Sequence, residues 1–257
     1  MKNILAIANR ELRAYFATPV GWVCMFGFLG LSGLFFALFT MLYAQEAANQ
    51  TFNPYMGNQL NMDEYLVAPF WGNTYIILLF ICPGLTMRLF AEDVKSKSME
   101  LLLTSPVSTL EIVLGKYFGV MGYILVMLAC TLHYPLIWYW LGDPDPGVMG
   151  ASYLAVVLLA GSYCAVGMMF SAFTSNQIVA VVLSFGTLLM LWVLGWGSEL
   201  AGSITWLADT LEFASLVNRM EAMTKGLVHS KDLVYYFSFI GFFLWVTYQR
   251  VEAYRWR

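Results

Sequence analysis

The side chains able to do chemistry are few and gathered in one place. From Arg88 to Tyr117 the chain reads RLFAEDVKSKSMELLLTSPVSTLEIVLGKY, a charged insert between two of its longest uncharged segments. Glu92, Asp93, Lys95 and Lys97 precede the run Met99-Glu100-Leu101-Leu102-Leu103-Thr104-Ser105, which Pro106 stops. Met99, Leu102 and Leu103 stand at i, i+3 and i+4, the apolar face of a helix about two turns long, with Ser96 or Ser98 able to cap its start. Ser108-Thr109-Leu110-Glu111 has the S-x-x-E spacing in which the serine oxygen and the glutamate carboxylate satisfy free amides at the start of a new helix. The chemistry on offer is recognition through charge pairs and an apolar ridge. Such a helix either lies on a lipid surface or docks on a soluble partner.

Bond-making chemistry has no comparable pattern. Gly115-Lys116 looks like the end of a G-x-x-x-x-G-K-[ST] phosphate loop, but Tyr117 stands in the hydroxyl position and Leu110 where the first glycine belongs. Nucleotide is therefore expected on another polypeptide. Two histidines far apart in the sequence, with no H-E-x-x-H or G-x-S-x-G and no paired carboxylates in an apolar run, disfavour an intramembrane hydrolase. Cys24, Cys82, Cys130 and Cys164 each fall in a different apolar run without C-x-x-C spacing and read as small core residues. The predicted spans hold essentially no ionisable side chain, which argues against a proton- or ion-coupled carrier.

The elements that must position the charged insert are membrane helices. Of 257 residues, 60% are hydrophobic and only 11% charged, against about 25% charged in soluble domains. No stretch is polar and mixed enough to build a soluble unit, so a single all-α membrane domain covering 1–257 is expected. The formal charge of −3, without a face of clustered Lys and Arg, argues against a nucleic-acid partner.

Taken in order, Ile4 to Phe16 puts Leu5, Ala8, Leu12 and Tyr15/Phe16 on one side and Asn9, Arg10 and Arg13 on another, an interfacial helix. Arg10, Glu11 and Arg13 interrupt any signal-peptide core, so the first span is expected to act as an uncleaved anchor. Thr18-Pro19 restarts the chain, threonine as cap and proline at the first helical position. Spans are predicted at about 20–43, 65–88, 117–141, 149–173, 178–196 and 233–249, each near the roughly 20 residues that a bilayer requires. Ala44 to Glu64 reads as a polar loop. Pro83 is expected to kink the second span, and Gly115 and Gly119 are spaced for close helix packing where the third begins. His133 near the far end of that span reads as an interface residue, and Asp143 to Gly147 as a tight acidic turn. Glu199 to Ser230, too polar to span, reads as one or two short helices at the membrane face, before Ser230-Lys231-Asp232 caps the last span.

Six spans place both termini on one side. Ten of the thirteen Lys and Arg residues fall on that side with the charged insert, and Arg219, Lys225 and Lys231 on the other. The positive-inside rule therefore puts both termini and the insert in the cytoplasm.

Phe90 to Gly119, FAEDVKSKSMELLLTSPVSTLEIVLGKYFG, resembles the cytoplasmic loop of ABC-2 type permease subunits. It is most similar to the gliding-motility and copper-maturation branch, where E-x-x-S-G-T-x-E-L-L-L-x-x-P-V-S precedes the third span. The chain departs from that pattern at Lys97-Ser98-Met99, where the family usually has Gly-Thr-Leu. The resemblance implies a bacterial inner-membrane transporter half with six spans, an N-terminal interfacial helix and a coupling helix between spans two and three. A re-entrant helical pair before span six is implied as well. It also implies a cytoplasmic ATPase subunit carrying ATP and Mg, and a second permease chain, expected as a homodimer. Glu92, Asp93, Ser98, Met99, Glu100, Leu101, Leu102, Leu103, Thr104, Ser105 and Pro106 would meet the ATPase. The path between the two halves would be lined by spans two and five, with Ser184, Gly186 and Thr187 as the small and polar residues of span five. Glu199 to Ser230 would face an extracytoplasmic partner. The other readings are an ATPase-independent transporter or channel and a structural anchor of an envelope machine.

Overall fold

The structure, a computed structural model, describes residues 2–52, 61–99, 107–200 and 215–255. Every regular element among them is helical: α1 (Lys2–Ala17), α2 (Pro19–Phe52), α3 (Ala68–Thr86), α4 (Arg88–Lys95), α5 (Thr109–Ala129), α6 (His133–Leu141), α7 (Pro146–Phe173), α8 (Gln177–Leu200), α9 (Leu216–Thr224) and α10 (Ser230–Arg255). A π turn, Asp63–Val67, leads into α3.

Among the described residues, five segments are long and apolar enough to cross a membrane: Pro19–Asn49, Asp63–Lys95, Thr109–Leu141, Pro146–Phe173 and Gln177–Trp196. The sixth expected span falls on α10. Its 26 residues would reach about 39 Å at 1.5 Å per residue, but Lys231, Asp232, Arg250, Glu252 and Arg255 crowd its two ends.

The bundle is organised around α7, which is buried along most of its length and touches α3, α4, α5, α8, α9 and α10. Its sequence explains this. Lipid tails are as apolar as leucine, so membrane helices associate where small residues let backbones approach. Ala151, Ser152, Ala155, Ala160, Gly161, Ser162, Ala165, Gly167 and Ser171 supply such a surface on α7. The hydroxyls of Ser152 and Ser162 donate back to the carbonyls of Val148 and Leu158, so the small polar groups are satisfied within their own helix. By contrast α2 and α8 keep wide apolar faces exposed, Val23, Phe26 and Met41 on one and Ile178, Val182 and Met190 on the other.

Several elements differ from the sequence expectation. The polar segment Ala44 to Glu64 is not wholly a loop: α2 continues to Phe52, and the next helical turn begins at Asp63. Ala44, Glu46, Ala47 and Ala48 are strong helix formers, so the helix outlasts the apolar run. Thr18 does not cap α2; its hydroxyl donates to the Ala14 carbonyl at 2.9 Å and closes α1 instead. The third span starts eight residues early, at Thr109, and is interrupted at 130–132. Pro135 has no N–H to continue the ladder, and tighter bonds from Thr131 to Leu128 and from Leu132 to Ala129 take over before α6 resumes. His133 Nδ1 meets the Cys130 carbonyl at 2.7 Å within that break.

Candidate functional site

The charged insert is held at one end of the bundle, where α1, α4, α5 and the C-terminal ends of α7 and α10 meet. Its first half is fixed to α7. The Ser171 hydroxyl accepts from the amides of Phe90 and Ala91 at 3.0 and 3.1 Å and donates to the Met87 carbonyl at 2.8 Å, so one side chain satisfies the start of α4. Gly167, one turn earlier, makes room: a Cβ there would lie 2.0 Å from Thr86 Oγ1.

The second half is fixed to α1. The capping box forms, with the Ser108 hydroxyl accepting from the Glu111 amide at 3.2 Å and the Glu111 carboxylate accepting from the Ser108 amide at 3.1 Å. Asn3 on α1 donates to the same carboxylate. The Ser108 amide and the Asn3 side chain hold the Glu111 carboxyl below the usual range. Thr109 donates to Glu252 on α10. Gly115 and Gly119 face α1 directly: a Cβ on them would stand 2.7 Å from Ile7 Cβ and 2.6 Å from Glu11 Cβ. The small-residue spacing thus serves α1 rather than one of the long apolar helices.

That approach turns α1 away from its expected face. The inward stripe is Ile7, Glu11 and Tyr15, while Leu5 is 68% exposed. The reason is Lys116. Its side chain is 2% exposed, and its ammonium donates to the Leu89 carbonyl at 2.6 Å and to Glu11 Oε1 at 3.1 Å. A third partner, Asp93 Oδ2, lies 2.7 Å away. Burial alone would push the Glu11 carboxyl up; the ammonium of Lys116 and the adjacent Arg10 guanidinium, 2.7 Å from the same oxygen, outweigh it and hold the group below its ordinary value. One lysine therefore joins three helices through charge-assisted bonds. Arg88 reinforces the joint by donating to Thr18 Oγ1 at 2.8 Å and stacking over the Tyr15 ring at 4.4 Å. The Tyr15 hydroxyl donates to the Leu85 carbonyl at 2.8 Å, and burial pushes its phenol well above the ordinary range, so it stays a donor.

Between these anchors the expected contact residues separate into two groups. Glu92, Lys95, Ser96 and Lys97 are exposed and point away from the bundle. Asp93 is turned inward to Lys116, and Ser98 donates to Asp93 Oδ1 at 2.9 Å. Met99 is buried. Lys97 has φ of 58°, the left-handed conformation that favours glycine. Glu100, Leu101, Leu102, Leu103, Thr104, Ser105 and Pro106 lie outside the described residues.

The three expected path residues on α8 differ in exposure. Ser184 is buried and its hydroxyl donates to the Ala180 carbonyl at 2.6 Å; Gly186 is exposed, with open space where a Cβ would stand; Thr187 is intermediate. Sequence reasoning missed Glu11, Ser171 and the structural role of Lys116. The available signal was a single acid inside a basic amphipathic helix and a single lysine beside a glycine pair.

At the opposite end, α9 packs on α7, α8 and α3, burying Leu216, Val217, Met220 and Met223. The part of Glu199 to Ser230 at 201–214 lies outside the described residues. The clasped insert and the α7-centred helical bundle are the setting for the family comparison. The model of the ABC-2 family transporter protein matches residues 5–248. The chain belongs to the ABC-2 family of transporter proteins. The match runs from α1 into α10, so α1 and the charged insert both lie inside the matched region. A search of curated proteins found no match.

Proposed function

We propose that this ABC-2 chain is the permease subunit of an ATP-driven exporter-type complex in the bacterial inner membrane. It crosses six times, with α10 as the last span and both termini in the cytoplasm. A separate ATPase subunit carries ATP and Mg, and two permease chains form the working unit. The insert between α4 and α5 is the coupling element: Glu92, Lys95 and Lys97 offer charges outward, Met99 is anchored in the bundle, and the segment from Glu100 to Pro106 seats on the ATPase. The loop motif at 90–119 aligns the chain with the gliding-motility and copper-maturation branch of these permeases.

The observation carrying this reading is the clasp around Lys116. A loop merely resting on lipid needs no buried ion pairs behind it. A loop that receives force needs a stiff connection to the spans, and Lys116 gives one to α1, α4 and α5 together. The test is co-purification of the ATPase with Glu100→Lys carrying Leu102→Ala and Leu103→Ala. Membrane insertion should be unchanged and ATPase recovery should fall at least tenfold; undiminished recovery would refute the coupling assignment and favour an ATPase-independent transporter or an anchor.

A further inference from the structure

Between α9 and α10 lies a cavity of about 1030 Å³ that opens along the surface, at the upper end of the roughly 300–1,000 Å³ typical of small-molecule sites. Its two ends differ in chemistry. The mouth, at the first turn of α10, is polar: Asn218, Arg219, His229 and Lys231 surround it. Its floor is an aromatic ladder along one stripe of α10, Tyr235 to Phe239 to Phe243, with ring centres 6.1 and 4.7 Å apart.

Charge at the mouth is unbalanced. Arg219 is paired with Asp232 at 2.7 Å, both nearly buried, and stacks on Tyr235 at 4.2 Å, so that pair shapes the wall and cancels its own charge. Lys231 is exposed and has no carboxylate partner among the described residues. The mouth is thus cationic and the floor apolar. From Lys231 to Phe243 the helix rises about 18 Å, close to the ~15 Å of half a hydrocarbon core.

We propose that this groove is a binding site for an anionic phospholipid of the surrounding membrane. The phosphate sits at Lys231 and His229, and one acyl chain lies on Tyr235, Phe239 and Phe243. A cationic mouth selects headgroups with net negative charge, and an aromatic floor of one-leaflet depth suits a tail that a soluble anion lacks. The inference rests on α10 lying in the membrane and is independent of the ATPase partner.

The experiment is thermal unfolding of the purified full-length chain in detergent with added dioleoyl phosphatidylglycerol, dioleoyl phosphatidylcholine or inorganic phosphate. Phosphatidylglycerol should stabilise at a concentration at least tenfold lower than phosphatidylcholine. Lys231→Glu should abolish that preference, and Ser238→Trp, which fills the slot from the α10 side, should weaken both lipids. An equal response to the two lipids, or a preference retained in Lys231→Glu, would overturn the site. The same shift from inorganic phosphate would overturn it in favour of a soluble anion. No stabilisation by either lipid would overturn the site as well.

Discussion

Replacing Lys116 with methionine keeps most of the length of the side chain and removes its charge. Lys116 is almost fully buried, and its partners Glu11 and Asp93 are only 11% and 19% exposed, so screening by solvent is small. Removing one member of a buried pair costs about 3–5 kcal/mol, because the remaining charge is stranded. Here two carboxylates would be left. Glu11 keeps Arg10 at 2.7 Å and Asp93 keeps the Ser98 hydroxyl at 2.9 Å, which places the loss at the lower end, about 3 kcal/mol. For a chain of this size that is a fall in Tm of roughly 6–12 °C. The assay is thermal unfolding in detergent, with the triple variant Glu11→Gln, Asp93→Asn, Lys116→Met beside the single one. Neutralising all three groups should recover most of the loss, since a buried ion network exchanged for neutral groups costs little. A single variant within about 2 °C of the parent, or a triple variant no better than the single, would refute the view that the clasp is electrostatic.

Glu11 gives the clasp a pH signature. Its carboxyl is held below the ordinary 4.5, so its contribution is fully present above that value and is lost as pH falls through the lowered folded-state value; Glu11→Gln should flatten the Tm against pH curve below about 4.5. Gly119→Ala puts a methyl 2.6 Å from Glu11 Cβ and should cost about 1–3 kcal/mol by forcing α1 off α5, read as faster proteolysis of the N-terminal helix. Lys97→Gly should stabilise by about 0.5–1 kcal/mol, because a residue with a Cβ is strained at φ of 58°, and a lower Tm in the variant would contradict this.

What the sequence reveals about this site depends on how local the chemistry is. The Ser108–Glu111 box spans three residues and is formed as its spacing predicts. The Gly115–Gly119 pair is visible as a packing surface, but nothing in it names α1 as the partner. The Lys116 clasp is invisible because Glu11 lies 105 residues away. Hydrophobic periodicity puts Leu5, Ala8 and Leu12 inward on α1, whereas the structure turns Glu11 inward, since a buried ammonium recovers more from a carboxylate than from a methyl group. Polarity marks Ala44 to Glu64 as leaving the membrane and says little about where helix ends, so α2 runs on to Phe52. Lys97 occupies the position where the related motif has glycine, and its positive φ accounts for that glycine in backbone geometry.

The two anchors of the insert also decide where a force on it would go. On the α4 side the bonds from Ser171 and the close contact at Gly167 join it to α7, the helix buried along most of its length at the centre of the bundle. On the α5 side the anchors are Asn3, Glu252 and the α1 backbone against Gly115 and Gly119, at the edge of the molecule. The two sides are bridged by Lys116, with Leu89 and Asp93 on α4 and Glu11 on α1. With the bridge intact, a push between Met99 and Val107 would be carried by α1, α4 and α5 together into α7. Without it, the same push would move α1 and α5 past a stationary α4. Lys116→Met therefore separates two quantities that an uncoupled loop would not distinguish: ATPase recovery should persist, while stimulation of ATP hydrolysis by the membrane subunit should be lost.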